Sequence, residues 1–308
     1  MNKRIVFCGT PEIASQVLKS IYQNGYQIEC VYTQPPVASH RGQKVNKSKV
    51  HLISETLNLP VRTPATLNNE EEKNYLKNLN IDLCIVVAYG QILKKDFLSI
   101  PKYGWVNVHY SLLPKFRGAS PVQRAIMEGE TTTGISIMQM NEGVDTGSIC
   151  NQYSINILDN ENSEELASRL STLASEKIVE NIDDIFEGKA VFKEQDHNKA
   201  TYAKKIDKAE GKISWNSSAK KLVRKINALY PFPGAFFLYK GERYKILKAE
   251  PSNAKGDPGV ILNENFEIGC AENSIKILEI QREGKKVQKI KEFMLGTQMK
   301  KGTNLNNA

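Results

Sequence analysis

The run Ile81-Asp-Leu-Cys-Ile-Val-Val-Ala88 constrains this chain most. It is almost unbroken in apolar, largely β-branched residues, with no polar-apolar alternation. A strand with one wet face alternates, whereas a strand covered on both faces does not. The run therefore predicts a central strand of a parallel sheet with helices on both sides. Arg4-Ile-Val-Phe-Cys8 reads as a second buried strand, turned by Gly9-Thr-Pro11. After it, Ile13, Val17, Leu18 and Ile21 recur at helical spacing, and Pro11 suits a first helical position. Further strands are expected over 26–33, 103–108 and 134–140. Helices are expected over 45–57, 68–79, 119–127 and 163–186, the last with Ser163 as its N-cap. Strands alternating with helices indicate an α/β fold with a Rossmann-like parallel sheet.

The pattern changes near Tyr202. Residues 204–211 read as a linker, and 215–229 contain one helix. Pro231-Phe-Pro-Gly-Ala235 then breaks the chain before five short expected strands at 235–239, 244–250, 259–262, 266–270 and 274–281. So many short strands in so little chain suggest a small OB-like β-barrel. The polar tail 300–308 is expected to fray. At roughly 100–200 residues per domain, 308 residues agree with two domains. The expected division is 1–203, a linker 204–211, and 212–308.

Charge follows the same division. Residues 1–206 carry 23 Lys+Arg against 23 Asp+Glu, and the remainder carries 19 against 11, so the whole net charge of +8 lies in the last third. A neutral body joined to a basic domain suggests a catalytic unit beside a polyanion-binding one, although a small domain can also use lysine simply for solubility. No apolar run approaches the ~20 residues of a membrane span, and the first residues lack a signal-peptide core. A cytoplasmic protein with no membrane contact is expected. The five cysteines, Cys8, Cys30, Cys84, Cys150 and Cys270, form no CxxC pair, which argues against disulfides and zinc. Cys8, Cys30 and Cys84 are expected as buried thiols, and no metal is expected.

The common uses of such a sheet are missing. Gly9-Thr-Pro11 lacks GxGxxG spacing, and no GxxxxGK[ST] loop occurs. Ligands should still bind at the carboxyl ends of the strands, where three loops are expected on one edge: 89–93, 109–124 and 141–147. Asn107 and His109 are two apart on one strand, so both leave the same face. Asp145 stands between Gly143 and Gly147. An Asn amide can donate to a developing oxyanion, a His can move a proton near neutral pH, and an Asp can orient that His. Such a trio suits direct acyl transfer between two bound partners without a covalent nucleophile. Spacing alone leaves open a histidine that merely satisfies its own hydrogen bonds.

Asn107-Val-His109-Tyr-Ser-Leu-Leu-Pro114, followed by Arg117-Gly118 and Asp145-x-Gly147, resembles the folate-dependent formyltransferase family. Gly9-Thr-Pro11, Ala88-Tyr-Gly-Gln-Ile-Leu93, the run 116–126 and Pro231-Phe-Pro-Gly-Ala235 extend the resemblance over essentially the whole chain, to the branch acting on methionyl-tRNA. The resemblance implies transfer of formyl from 10-formyltetrahydrofolate to the α-amine of methionyl-initiator tRNA. Asn107, His109 and Asp145 would be catalytic, with Asp145 fixing the tautomer of His109. Folate would lie over Tyr89, Gly90, Gln91, Leu93, Ser111, Leu112, Leu113, Pro114, Asn141 and Gly143. Plain core packing is the competing reading for Leu112 and Leu113. The tRNA would meet Arg41 in a trimmed basic loop and, in the basic domain, Lys208, Lys212, Lys220, Lys221, Arg224 and Lys225. A solvated surface lysine competes with each of these. Trp215 and Phe232 are expected in the core, and a monomer is expected. Tyr110 replaces the small residue usual in the family, and Lys94 a frequent proline. A rival acceptor is an amino-sugar nucleotide, and a rival of another class is an inert RNA-binding protein.

Overall fold

Ile81–Ala88 does form the middle of a sheet. The computed structural model describes residues 3–39 and 44–306, so the tRNA contact expected at Arg41 lies outside the described residues. The first part of the chain runs β1 (Arg4–Gly9), α1 (Glu12–Gln23), β2 (Gln27–Tyr32), β3 (Val37–Ser39), β4 (Lys44–Asn46), α2 (Lys49–Thr56), β5 (Val61–Arg62), α3 (Glu70–Asn78), β6 (Leu83–Val87), α4 (Lys95–Leu98), β7 (Trp105–His109), α5 (Pro121–Glu128), β8 (Thr132–Gln139), β9 (Ile149–Asn156) and α6 (Ser163–Phe186). Seven of these strands make one sheet in the order β5-β2-β1-β6-β7-β8-β9. β5, β2, β1, β6 and β7 are parallel to one another. Every residue of β6 is buried, as its missing alternation requires. Cys84 and Val86 enter a cluster with Val6, Cys8, Cys30, Leu67, Leu76, Phe97 and Trp105.

β8 departs from the expected pattern. It pairs antiparallel to β7, with Val106 opposite Gln139 and His109 opposite Ser136. The loop after β8 therefore starts beside the beginning of β7, not on the edge shared by the loops after β6 and β7. Alternation in 134–140 marks a strand but carries no direction, so the three-loop edge is corrected to two.

Three helix starts differ in boundary or cap from those the spacing predicts. α2 begins at Lys49, four residues later than expected, because Ser48 accepts from the His51 amide and closes the first turn. α5 begins at Pro121, where proline's missing N–H costs nothing. Ser163 is not the cap of α6. Asn162 accepts from the Glu164 and Glu165 amides at 3.0 Å each, and Glu165 returns a bond to the Asn162 amide at 2.9 Å. That reciprocal pair is a capping box. The Ser163 hydroxyl donates to the Tyr230 carbonyl instead.

The chain divides into two compact units, Met1–Pro121, Thr132–Ile155 and Ala167–Ala203 against Val122–Thr131, Asn156–Leu166 and Lys204–Ala308. The second contains α7 (Ala219–Leu229), β10 (Ala235–Tyr239), β11 (Glu242–Ser252), β12 (Glu267–Gly269), β13 (Ser274–Arg282), β14 (Gln288–Lys289) and α8 (Ile290–Gly296). Its sheet is antiparallel, ordered β10-β11-β13-β12 with β14 beside β13. Trp215, Leu222, Ile226, Phe237, Ile246, Phe266 and Ile277 form its core. Phe232, expected inside, is 67% exposed. Arg124 forms a bidentate pair with Glu210 at 2.7 and 2.9 Å, and its guanidinium holds the Glu210 carboxyl below the usual range.

The tail is not frayed as far as Asn306. Met299 and Leu305 join the second unit's core, and the Leu305 amide donates to the Gly259 carbonyl at 2.8 Å. A single apolar side chain with backbone pairing anchors a stretch whose composition reads as polar. Leu305→Ala is expected to cost at least about 2 kcal/mol, the low end for a buried leucine. Denaturant unfolding checks it, and a loss under about 0.5 kcal/mol would mean that the tail is not packed. All five cysteines are free, with Cys150 alone not fully buried. Burial pushes the Cys270 thiol up to about 11, Cys30 up to about 12, and Cys8 and Cys84 well above their ordinary value. At pH 8 these thiols stay protonated, and the thiolate is the reactive form. A disulfide reagent should therefore meet at most one prompt thiol in the native chain and five after unfolding.

Candidate active site

Asn107 and His109 project from the end of β7 onto one face, as their spacing requires. Asp145 reaches that face from the loop after β8. Its Oδ1 lies 3.4 Å from Asn107 Nδ2, and its Oδ2 lies 3.5 Å from His109 Nδ1. Both contacts are long for hydrogen bonds. Asp145 Oδ2 also accepts from the Gly118 amide at 2.7 Å. That is a short charge-assisted bond to a largely buried carboxylate.

Two glycines make this approach possible. A Cβ on Gly147 would lie 1.7 Å from the Gln139 carbonyl oxygen, so only glycine lets the loop double back there. Gly118 sits at φ +116, where a Cβ would lie 2.8 Å from the Ala203 carbonyl oxygen. Three non-glycine residues at the site also have left-handed backbone: Ala88 (φ 47), Phe116 (φ 59) and Asp145 (φ 50). Each such residue costs on the order of 1–3 kcal/mol unless its surroundings hold it.

His109 is 6% exposed, and its Nε2 lies 2.9 Å from the Phe116 carbonyl oxygen. A carbonyl only accepts, so this contact is a hydrogen bond in the tautomer that carries the proton on Nε2. In that tautomer the lone pair is at Nδ1, facing Asp145. The Phe116 carbonyl thus holds the ring on the side away from Asp145. A main-chain carbonyl leaves no residue-type signature, so no motif could have shown it.

Two family models match the chain: formyl transferase over residues 3–182, and formyl transferase, C-terminal domain, over residues 205–298. The methionyl-tRNA formyltransferase of Pelagibacter ubique (strain HTCC1062) is 55% identical over 309 residues, covering 100% of both proteins. The chain belongs to the methionyl-tRNA formyltransferase family. The family member of Thermodesulfovibrio yellowstonii is 40% identical, covering 98% of each chain. An N-formyltransferase of Helicobacter canadensis, solved with folinic acid and dTDP-3-aminofucose, shares the fold at TM-score 0.66 and 21% identity, over 92% of this chain and 100% of that one.

The folate candidates expected from the formyltransferase resemblance lie after β6, after β7 and after β8. Most of their side chains are already engaged. Tyr89 and Leu93 belong to the core under the sheet. Gln91 accepts from the Leu67 amide at 2.7 Å. The Ser111 hydroxyl donates to the Lys115 carbonyl, and Ser136 Oγ accepts from the Leu113 amide while donating to the Ser111 carbonyl. Leu113 is buried, and Leu112 and Pro114 are half-buried. Asn141 accepts from the Gly143 amide and the Thr146 hydroxyl. Gly90, Leu112, Pro114 and main-chain groups are what these loops leave for a ligand. Ile92 and Val144, 68% and 52% exposed, add apolar surface. Tyr110 is buried, and burial pushes its hydroxyl up.

In the second unit of this formyltransferase, Lys208, Lys212, Lys220 and Lys221 are exposed. Arg224 and Lys225 are half-buried. The Arg224 guanidinium packs over Gly129, and Lys225 Nζ donates to the Lys212 carbonyl at 2.7 Å. Burial also lowers the Lys225 ammonium below its ordinary range. Among the described residues no group of His, Cys, Asp and Glu could hold a metal, and no helix is long and apolar enough to cross a membrane. Gly147→Ala should abolish most formyl transfer, by 10²-fold or more on the scale of a ~1 Å misplacement. The circular dichroism spectrum should stay native, and full turnover would show that the Asp145 loop tolerates the displacement.

Proposed function

We propose that this formyltransferase moves the formyl group of 10-formyltetrahydrofolate onto the α-amine of methionyl-initiator tRNA, giving formylmethionyl-tRNA for translation initiation in the cytoplasm. The observation that carries the reading is the Asp145 carboxylate set between the Asn107 amide and the His109 imidazole. An α-amine has an ordinary pKa of about 7.7–8.0, so roughly a tenth to a sixth of it is already neutral and nucleophilic near pH 7. No strong base is needed to create the nucleophile. The amine attacks the formyl carbon, the C–N10 bond breaks, and one proton passes from the amine to N10.

Asn107 spends one amide hydrogen toward Asp145 and keeps the other for the formyl oxygen as it gains charge. One such donor is worth roughly 10²–10³ in rate. His109 receives the amine proton at Nδ1, since Nε2 already donates to Phe116. The resulting imidazolium donates to both Phe116 and Asp145 until the proton goes to N10. Backbone groups of 88–93, 111–114 and 141–144 meet the flat donor and acceptor edge of the pterin. Ile92 and Val144 offer it apolar surface. This fit is one of ligand type, with main-chain polarity beside exposed apolar side chains.

The functional division proposed is a catalytic domain over 1–203, a connecting segment over 204–211, and a tRNA-binding domain over 212–308, acting as a monomer. Lys208, Lys212, Lys220 and Lys221 are the phosphate contacts this reading favours, because they are exposed. Arg224 and Lys225 are already used within their own unit.

Asn107→Ala and Asp145→Ala should each lose about 10²-fold or more in turnover, while folate binding measured by calorimetry persists. Wild-type turnover in either variant would remove the assigned roles. Formyl label supplied on 10-formyltetrahydrofolate should pass to charged initiator tRNA and not to a UDP-amino sugar. The reverse preference would change the acceptor. Affinity for tRNA should fall steeply with salt, as counterion release requires. Replacing Lys220 and Lys221 together by alanine should flatten that slope by about two units.

A further inference from the structure

Gln195 lies outside every motif that suggested the active site, yet it is 6% exposed and holds the loop that carries Asp145. Its Nε2 donates to the Asp145 carbonyl at 2.9 Å and to the Gly147 carbonyl at 2.7 Å. Its Oε1 accepts from Arg117 Nε at 3.1 Å and from Arg117 Nη2 at 2.6 Å. These four bonds use the full capacity of a primary amide. Arginine only donates and carbonyls only accept, so the amide can sit in one orientation.

Arg117 is the second unusual feature. Its guanidinium is 2% exposed, and its hydrogen bonds go to Gln195 and to His197 Nδ1 at 3.1 Å, both uncharged acceptors. Burying a cation among neutral groups carries a desolvation penalty that an apolar side chain of the same size would avoid. Stability alone does not account for it. The Asp145 backbone is also in the left-handed region, which persists only where neighbours over-determine it.

We propose that Gln195 is a positioning residue for formyl transfer. Oriented by Arg117, it brackets residues 145 and 147 by their carbonyls and so aims the Asp145 carboxylate at His109, Asn107 and the Gly118 amide. The proposal rests on the reading of Asp145 as part of the reacting site. Gln195 touches no reacting atom. Its effect runs through the direction of two peptides, those of Asp145 and Gly147.

Two substitutions separate this from plain packing. Gln195→Met keeps the volume and removes both donors. Gln195→Glu keeps an acceptor for Arg117 but turns an oxygen toward two carbonyl oxygens. In both, kcat for formylation of methionyl-tRNA should fall roughly 10²-fold, as about 1 Å of misplacement predicts. KM for tRNA and for 10-formyltetrahydrofolate should stay within about threefold, because no substrate contact is lost. The second readout needs no substrate. The Gly118 amide proton, bound to Asp145 at 2.7 Å, should resonate far downfield by NMR in the wild type and move upfield in both variants. Equal kcat in either folded variant, or an unmoved Gly118 proton, would overturn the proposal. A moved Gly118 proton in a protein that formylates no tRNA would leave the brace standing and sink the functional reading instead.

Discussion

A largely buried carboxylate is the constraint on which the site depends. Asp145 loses most of its water in reaching the face of β7, and an unpaired anion there would cost several kcal/mol. Its compensation comes from three stretches of chain. β7 supplies the Asn107 amide, the turn 116–118 supplies an amide hydrogen, and the strand-like segment 201–203 holds that turn in place. The Arg117 amide donates to the Thr201 carbonyl at 2.9 Å, and the Ala203 amide to the Arg117 carbonyl at 2.7 Å. The carboxylate is satisfied only when all of them have arrived, so site geometry and tertiary fold are one cooperative structure.

That convergence also explains why backbone strain gathers here. Ala88 ends β6, Phe116 aims its carbonyl at His109, and Asp145 aims its carboxylate, all with left-handed backbone. The sum is several kcal/mol on the usual scale. The covered sheet beneath offsets it. β6 is buried throughout, and Trp105 at the start of β7 satisfies its indole by donating to the Phe97 carbonyl at 2.8 Å. A soft core would let these residues relax toward ordinary φ, and the carbonyl and carboxylate would swing away from the imidazole.

How much was legible in the sequence follows from which physics is local. Ile81–Ala88 declared a central strand because burial on both faces removes alternation, and Asn107 with His109 declared a shared face because strands have period two. Strand direction is not local, and β8 took the opposite direction from the one expected. Asn162 and Ser163 are both good caps, and only geometry chooses between them. Leu305 is one apolar residue in a polar tail, too little for any pattern. Gln195 and the Phe116 carbonyl act through contacts 48 to 50 and seven residues away in the chain, and a glutamine or a main-chain oxygen carries no signature at such separations. Net charge was legible in bulk but not by residue. Arg124, Arg224 and Lys225 belong to the basic unit's own packing, which leaves exposed lysines to set its field.

In the proposed reaction, the Phe116 carbonyl gives the chemistry a direction. With Nε2 donating to Phe116, the imidazole has one free edge, and that edge meets the carboxylate. Proton uptake at Nδ1 turns a lone pair facing an anion into a cation bound to it. The gain in attraction is largest when the proton is in transit, as differential stabilisation of the reacting state requires. Had Asp145 instead held a proton on Nδ1, the free edge would have been Nε2, pointing into the turn at Phe116 and away from Asn107. The donor for the oxyanion and the acceptor for the proton would then have lain on opposite sides of the ring. Fixing the ring from behind keeps both on the face of β7, within reach of one small acyl group.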